Sequence, residues 1–526
     1  MDDIEIEGFP EGSPEGFPGS PVDPFDALLH ESMGVPKDEG PGSVRLRPIP
    51  ANTKKSIVGA CYWVEIDEDV AAKEPWYNHL LCCPGQNSLS PVAPKPFSLL
   101  YKHASKPGWI GMPRFLGLGL FGKGEDVRSM GLPATYKFSA DRPLRDYQLR
   151  AKDAALAKLD EWGGATIIAD CGAGKTAIAL SICAALGRKT LVLCNRSFLM
   201  MQWKHDIIGK GWTWSDGSDA KEGEERDGEK PSPPRQGWMP EARVGWLQGA
   251  APSKYVDTVN KDIVIASIES LSQCAYAREM IQEFGLVMVD EMHHLGAQTL
   301  SQVLPKLPCR YVLGISATPD RNDGLEHVLY WLAGPTAFVY KRLPSITGKM
   351  HTVHVKQILF TKGEQKEIVY RNGSLGYASM VSHLAADETR NEFLLKTIGS
   401  LDNRKKILVV TTLVDHAKFL SEHFKAPLIY GGCSRQSVSL AKSPVPIVVA
   451  TYQFLEEGYD DETLDTLVMA LPRSRIQQVV GRCERTHEGK LVPLILDITD
   501  TFSVFEAMSW KRHKFYASRG FKILRA

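Results

Sequence analysis

The chain has no apolar run approaching the ~20 residues needed to cross a bilayer, and its first residues are acidic rather than signal-like, so neither a membrane span nor a secretory leader is expected. Its ten cysteines are scattered: only Cys82-Cys83 are adjacent, and no Cys-x-x-Cys pair occurs. That excludes most zinc ribbons and disulfide scaffolds and predicts reduced thiols in a cytosolic or nuclear setting. Positive charge is scarce at one end, where residues 1–40 hold eleven carboxylates against one base, Lys37. The whole chain is neutral, so the remainder carries about +10, which permits a nucleic-acid partner without requiring one. With 43% hydrophobic and 24% charged residues over 526 positions, the composition is that of a soluble globular protein of three or four domains.

Residues 1–44 repeat EGFP, EGSP and EGFP and cannot bury enough apolar surface to offset their ordering entropy; they are expected to form a disordered acidic tail. Residues 45–140 are globular but irregular, with Trp63, Trp76, Trp109 and several Pro-Gly turns. Glycines 117, 119, 122 and 124 follow no buried strand, so they do not make a phosphate loop. This segment is expected to supply core and turn residues, or to be an accessory domain that contacts a duplex.

A strand–turn–helix pattern then organises the chain. The apolar run 165–169 leads into Ala169-Asp170-Cys171-Gly172-Ala173-Gly174-Lys175-Thr176, and residues 177–186 are spaced as a helix. Glycines let backbone N–H groups converge on phosphate oxygens at the helix's positive end. Lys175 then reaches the β- and γ-phosphates, and the Thr176 hydroxyl ligates Mg²⁺. Ala169 occupies the slot where the general pattern has its first glycine. Alone, such a loop implies only binding of a nucleoside triphosphate. Upstream, Gln148 has an amide that can both donate to and accept from an adenine edge.

Further along, the strand-like run 286–289 delivers Asp290 and Glu291, 115 residues after Lys175. In a parallel sheet ligands gather at the carboxyl ends of strands. There Asp290 suits Mg²⁺, and Glu291 suits orientation and deprotonation of an attacking water. Met292 and His293 follow, and a later strand, 311–316, ends in Ser316-Ala317-Thr318, whose hydroxyls lie within conceivable reach of His293. Residues 211–238, rich in Asp, Glu, Gly and Pro, read as a surface insertion.

A second α/β series has strand-like runs at 406–411, 447–451, 465–470 and 493–498 but no phosphate loop. It carries Gln478, Arg482 and Arg485, the two arginines sharing a face if helical. A fixed arginine facing the loop from another domain neutralises charge on the transferring phosphoryl group and makes hydrolysis depend on cleft closure. The terminus after Glu506 interleaves Lys511, Arg512, Lys514, Arg519, Lys522 and Arg525 with Trp510, Phe515, Tyr516 and Phe521. Two expectations stand for it: phosphate and base contact, or a last helix and strand packed on the second domain.

In this order, Gln148, CGAGKT, DEMH, SATPDR, the Thr451–Asp460 segment and QxxGRxxR resemble a superfamily 2 DExH-box helicase over roughly residues 140–526. The stretches 264–271 and 314–324 look like its XPB branch, closest to the transcript-release helicases of poxviruses and relatives in other large DNA viruses and phages. Where XPB relatives carry Arg-Glu-Asp, this chain has Arg321-Asn322-Asp323. The resemblance implies an α/β fold of two tandem RecA-like parallel-sheet domains, 141–340 and 341–526, after the accessory domain and tail. It implies ATP and Mg²⁺ as cofactors and DNA as partner, with RNA the alternative, transcription machinery a further partner and no membrane. Gln148 would read adenine; residues 169–176 would hold phosphates; Asp290 and Glu291 would serve metal and water; Gln478, Arg482 and Arg485 would complete the site. Gly458 and Asp460 would couple nucleotide to nucleic acid, and Met292, His293, Ser316, Ala317 and Thr318 would link hydrolysis to movement. Arg196, Thr411 and Thr412 would touch backbone phosphates. Superfamily 2 loops often place Ala where Ala169 stands.

Overall fold

The structure, a computed structural model, describes residues 55–81, 97–103, 106–139, 141–170, 172–195, 197–211, 221, 234–250, 256–292, 301–317, 325–341, 353–362, 366–370, 375–456, 461–474, 476–484 and 489–525. The expected acidic tail lies outside them.

The first sheet comprises β1 (Lys55–Val58), β2 (Tyr62–Glu65), β3 (Tyr101–Lys102), β4 (Trp109–Met112) and β5 (Glu125–Asp126), in the order β3-β4-β2-β1-β5. The 45–140 segment is thus more regular than its composition suggests. It also shares one apolar core with the neighbouring sheet and its helices: Tyr62, Trp76, Phe115 and Leu116 cluster with Val287, Val289, Tyr330 and Trp331. The helix Arg114–Phe121 is buried on nearly every side. Its Gly117 lies against the Tyr62 ring, where an added Cβ would stand 2.2 Å away. Buried Arg114 donates from Nη1 to Cys309 O at 2.8 Å and from Nη2 to Leu307 O at 2.9 Å, tying this sheet to its neighbour.

The second sheet has eight strands: β6 (Gly164–Ala169), β7 (Thr190–Cys194), β10 (Val244–Leu247), β11 (Val256–Asp257), β12 (Ile263–Ser267), β13 (Leu286–Val289), β14 (Tyr311–Ser316) and β15 (Thr336–Tyr340). A separate ribbon, β8 (Gly209–Lys210) with β9 (Arg235–Gln236), clasps the base of the 211–238 insertion. The order is β11-β10-β12-β7-β13-β14-β6-β15, all parallel except β11. Every residue of β6, β7 and β13 is buried. Such continuous apolar runs suit a parallel sheet covered on both faces.

The third sheet is wholly parallel: β16 (His354–Phe360), β17 (Ile407–Thr411), β18 (Leu428–Ile429), β19 (Ile447–Thr451), β20 (Thr466–Met469), β21 (Leu494–Asp500) and β22 (Lys522–Arg525), ordered β18-β19-β17-β20-β21-β16-β22. Two large parallel sheets in tandem are the expected RecA-like pair.

The basic, aromatic terminus is mostly structural. It forms the helix Val504–Ser518 and the edge strand β22. Arg512 is buried on Asp497, the Tyr516 hydroxyl donates to the same carboxylate at 3.1 Å, and Phe515 and Phe521 pack on the core. The expectation of a nucleic-acid strip is corrected to that extent, because a guanidinium committed to a buried carboxylate is not offered to phosphates. Trp510 stays exposed, with Lys514 Nζ 5.6 Å from its ring centroid. No helix among the described residues is long and apolar enough to cross a membrane.

Candidate functional site

β6 ends at Ala169, and the helix Lys175–Leu186 begins after five intervening residues. Between them Gly172 and Gly174 adopt φ of +78° and +76°, a region that favours glycine. At Gly174 space forbids a side chain as well, since an added Cβ would lie 2.4 Å from Gln148 Nε2. The Ala173 carbonyl accepts from Gln148 Nε2 and from the Tyr147 hydroxyl, each at 2.9 Å. Tyr147 in turn stacks on Tyr340, their centroids 4.1 Å apart, and the Asp170 N–H donates to Tyr340 O at 3.2 Å. The loop is therefore pinned from the Gln148 helix and from β15.

Gln148 is largely committed to the protein. Its Oε1 accepts from the Arg145 N–H at 2.9 Å while Nε2 holds Ala173. One N–H and one lone pair remain in the amide's inventory for a base edge.

The order β13-β14-β6 brings the Asp-Glu pair to the same sheet edge as the loop. Lys175 Nζ donates to Ala169 O at 3.2 Å and stands 3.6 Å from Glu291 Oε1. Glu291 has φ +43°, rare for a residue with a side chain and a mark of local backbone strain. Asp290 Oδ2 accepts from the Trp203 indole N–H at 2.7 Å. Burial, and then the charge of Glu291, push the Asp290 carboxyl up to about 6 despite that bond. Met292 is buried, its sulfur filling the space left by Gly314 of β14, and Ser316 and Ala317 are buried at that strand's end. Thr176 is half-buried in the loop helix's first turn.

In the second RecA-like domain, Gln478 and Arg482 lie four apart on the helix Gln477–Cys483, and Arg482 Nη2 donates to Leu455 O at 3.2 Å. The next residue but one, Glu484, pairs with Arg519, which also reaches Asp170 of the glycine loop. These ion pairs bring the glutamine–arginine helix to the loop. Cys171, Arg196, His293, Thr318, Gly458, Asp460 and Arg485 lie outside the described residues. Thr411 is corrected: its buried hydroxyl bonds His416 Nδ1 at 2.8 Å and so does not face a backbone phosphate. Thr412 Oγ1, just beyond the strand, is buried with no hydrogen-bond partner among the described residues.

Tyr147, Tyr340, Trp203 and Glu484 were not expected at the site, and Arg519 was expected only among the terminal basic residues, for which contact and packing both stood. Adjacency to Gln148 could have flagged Tyr147. Nothing local could have flagged Trp203, which meets its partner across 87 positions.

The family described as "Type III restriction enzyme, res subunit" matches residues 141–321. A mimivirus protein provisionally named ATP-dependent RNA helicase L396 is 26% identical over 436 residues, covering 79% of this chain and 76% of its own. An African swine fever virus protein provisionally named ATP-dependent RNA helicase QP509L is 25% identical, covering 73% of this chain and 74% of its own. A phage T5 protein provisionally named helicase D10 is 24% identical, covering 73% and 78%. With tandem parallel sheets and a glycine loop at the edge of the first, these matches give residues 141–321 a helicase domain similar to that of the type III restriction enzyme res subunit, in a chain similar over about three quarters of its length to viral and phage proteins named as helicases.

Proposed function

We propose that the chain hydrolyses ATP between its two RecA-like sheets and uses the resulting closure and opening to move along, or unwind, DNA. The observation that carries this is the meeting of phosphate loop and Asp-Glu pair at one sheet edge, with Lys175 Nζ 3.6 Å from Glu291 Oε1. Lys175 Nζ is held by Ala169 O and Glu291 Oε1. Phosphates entering the loop draw the ammonium away and leave Glu291 to orient and deprotonate water. Gln148 spends its remaining amide capacity on adenine. Gln478, Arg482 and Arg485 complete the site from the second sheet, Gly458 and Asp460 couple it to the strand, and Met292, His293, Ser316, Ala317 and Thr318 relay hydrolysis to movement.

The donors fit Mg²⁺. A hydroxyl, Thr176, and a carboxylate, Asp290, are hard oxygen ligands, and Asp290 is raised in proton affinity by burial and then by the neighbouring charge of Glu291. When bound, the ion neutralises β- and γ-phosphate oxygens.

DNA is favoured by the XPB-like stretches 264–271 and 314–324. RNA is the second reading, because the mimivirus and swine fever virus relatives carry RNA-helicase names. Transcription machinery is the proposed wider partner. The test is fork unwinding and ATPase stimulation with 3′- and 5′-tailed DNA and RNA, beside Lys175→Ala and Glu291→Gln. DNA-stimulated turnover that both substitutions abolish is expected. Stimulation by RNA alone would transfer the function to RNA, and stimulated turnover surviving either substitution would sink the assignment of the site.

A further inference from the structure

Arg519 sits where the helix Val504–Ser518 ends. Its Nη1 donates to Asp170 Oδ2 at 2.6 Å, and its Nη2 lies 2.9 Å from both Oε1 and Oε2 of Glu484. Asp170 is the first loop residue after β6, in the second sheet's domain. Glu484 closes the helix of Gln478 and Arg482, in the third sheet's domain. One guanidinium thus joins the two halves of the ATP site. A planar fork with five donors can hold two carboxylates at once, whereas an ammonium is a single point charge.

The guanidinium is also well placed to act as a rigid link. Two turns earlier Arg512 is locked on Asp497, and one turn earlier the Tyr516 hydroxyl donates to the same carboxylate. The Arg519 N–H donates to Phe515 O and the Phe521 N–H to Tyr516 O, each at 3.1 Å, which closes the helix end. The Arg519 side chain is 13% exposed, that of Glu484 9% and that of Asp170 28%, so the Glu484 arm is the less screened by salt of the two.

We propose that Arg519 is a positioning residue for ATP hydrolysis, clamping the phosphate loop through Asp170 to the glutamine–arginine helix through Glu484. Closing the cleft around ATP then requires no separate ordering of that helix, because the bridge sets the distance from loop to helix. The clamp acts on closure and not on initial capture of nucleotide, which belongs to the loop and Gln148. This inference rests on the proposed ATPase site, and the test separates the two.

The experiment uses the full chain with Arg519→Gln, Arg519→Lys, Asp170→Asn and the Asp170→Asn/Arg519→Gln double variant. Equilibrium binding of a fluorescent ATP analogue is measured beside nucleic-acid-stimulated kcat. Arg519→Gln is expected to bind the analogue within about threefold of wild type while kcat falls tenfold or more, with Arg519→Lys in between. Asp170→Asn should lower kcat as well, and the double variant should lose no more than Arg519→Gln alone, since both remove one bridge. Wild-type kcat in Arg519→Gln, or losses that multiply in the double variant, would overturn the clamp. Joint loss of binding and turnover would overturn it too, as the mark of a general structural role. Failure of wild type itself to hydrolyse ATP would instead remove the ATPase assignment.

Discussion

Trp203→Phe isolates one hydrogen bond behind the proposed metal-binding carboxylate. The indole N–H lies 2.7 Å from Asp290 Oδ2, and Trp203 is 3% exposed, so no water replaces the donor without rearrangement. Hydrogen bonds to charged groups contribute about 1.5–3 kcal/mol, which corresponds to roughly 10- to 150-fold in an equilibrium constant. Loss of an outer partner that orients a metal ligand costs about 10–100-fold in affinity or activity, an independent route to the same range. The sign comes from the carboxyl's environment. Burial and Glu291 already push it up to about 6, and the indole opposes them, so its removal raises proton affinity further and weakens the grip on a cation. Phenylalanine keeps most of the ring packing, so a general loss of stability is a secondary effect.

The assay is stimulated ATPase activity titrated with Mg²⁺ at pH 6.5 and pH 8. The concentration for half-maximal activity is expected to rise about tenfold or more in Trp203→Phe, more steeply at pH 6.5 because protons compete better there. An unchanged Mg²⁺ requirement at both pH values, with the protein folded by circular dichroism, would refute the role assigned to Trp203. Equal loss of activity at every Mg²⁺ concentration would refute it as well.

Two further outcomes are set by the geometry. Gly174→Ala must hold φ near +76° at a cost of about 1–2 kcal/mol and displace Gln148 Nε2, 2.4 Å from the new Cβ. ATP affinity measured by analogue titration is expected to fall at least tenfold, and near-wild-type affinity would contradict the loop's conformation. His416 is buried between the Thr411 hydroxyl and Asn391 Oδ1, and burial, then Arg390, depress its pKa from 6.5 to about 4. The unfolded chain binds this proton first, so the stability contribution is complete above pH 6.5 and is lost as pH falls toward 4. The loss is worth roughly 3 kcal/mol. His416→Gln should flatten the decline in denaturation midpoint between pH 7 and 4.5, and parallel declines would reject this account.

Strands and the glycine turn between β6 and its helix were legible because their causes are local. Apolar runs bounded by turns mark β6, β7, β13 and β14, and glycines at 172 and 174 are the residues that tolerate φ near +77°. The accessory segment was harder to read. Its apolar positions serve a core shared with the neighbouring sheet, whose other members lie up to some 270 positions away in the chain, as Tyr62 and Trp331 do. For the terminus the sequence left contact and packing both open, and the packed helix and strand are what the structure shows, because composition cannot tell a cation facing solvent from one facing a carboxylate. Arg512 and Asp497 are fifteen positions apart, and Arg519 and Asp170 are 349 apart.

By itself the sequence determined the parts: a strand, a glycine loop with Lys175 and Thr176, a strand ending in Asp290 and Glu291, and a helix bearing Gln478 and Arg482. Only the tertiary structure decided which of their neighbours serve them. Trp203 behind Asp290, Gln148 and Tyr147 beneath the loop, and Arg519 between Asp170 and Glu484 all depend on strand order and on the packing of one sheet's domain against the other. Short-range pattern arises from chemistry carried by adjacent residues. A hydrogen bond or ion pair across tens or hundreds of positions arises from where the folded backbone sets its two ends.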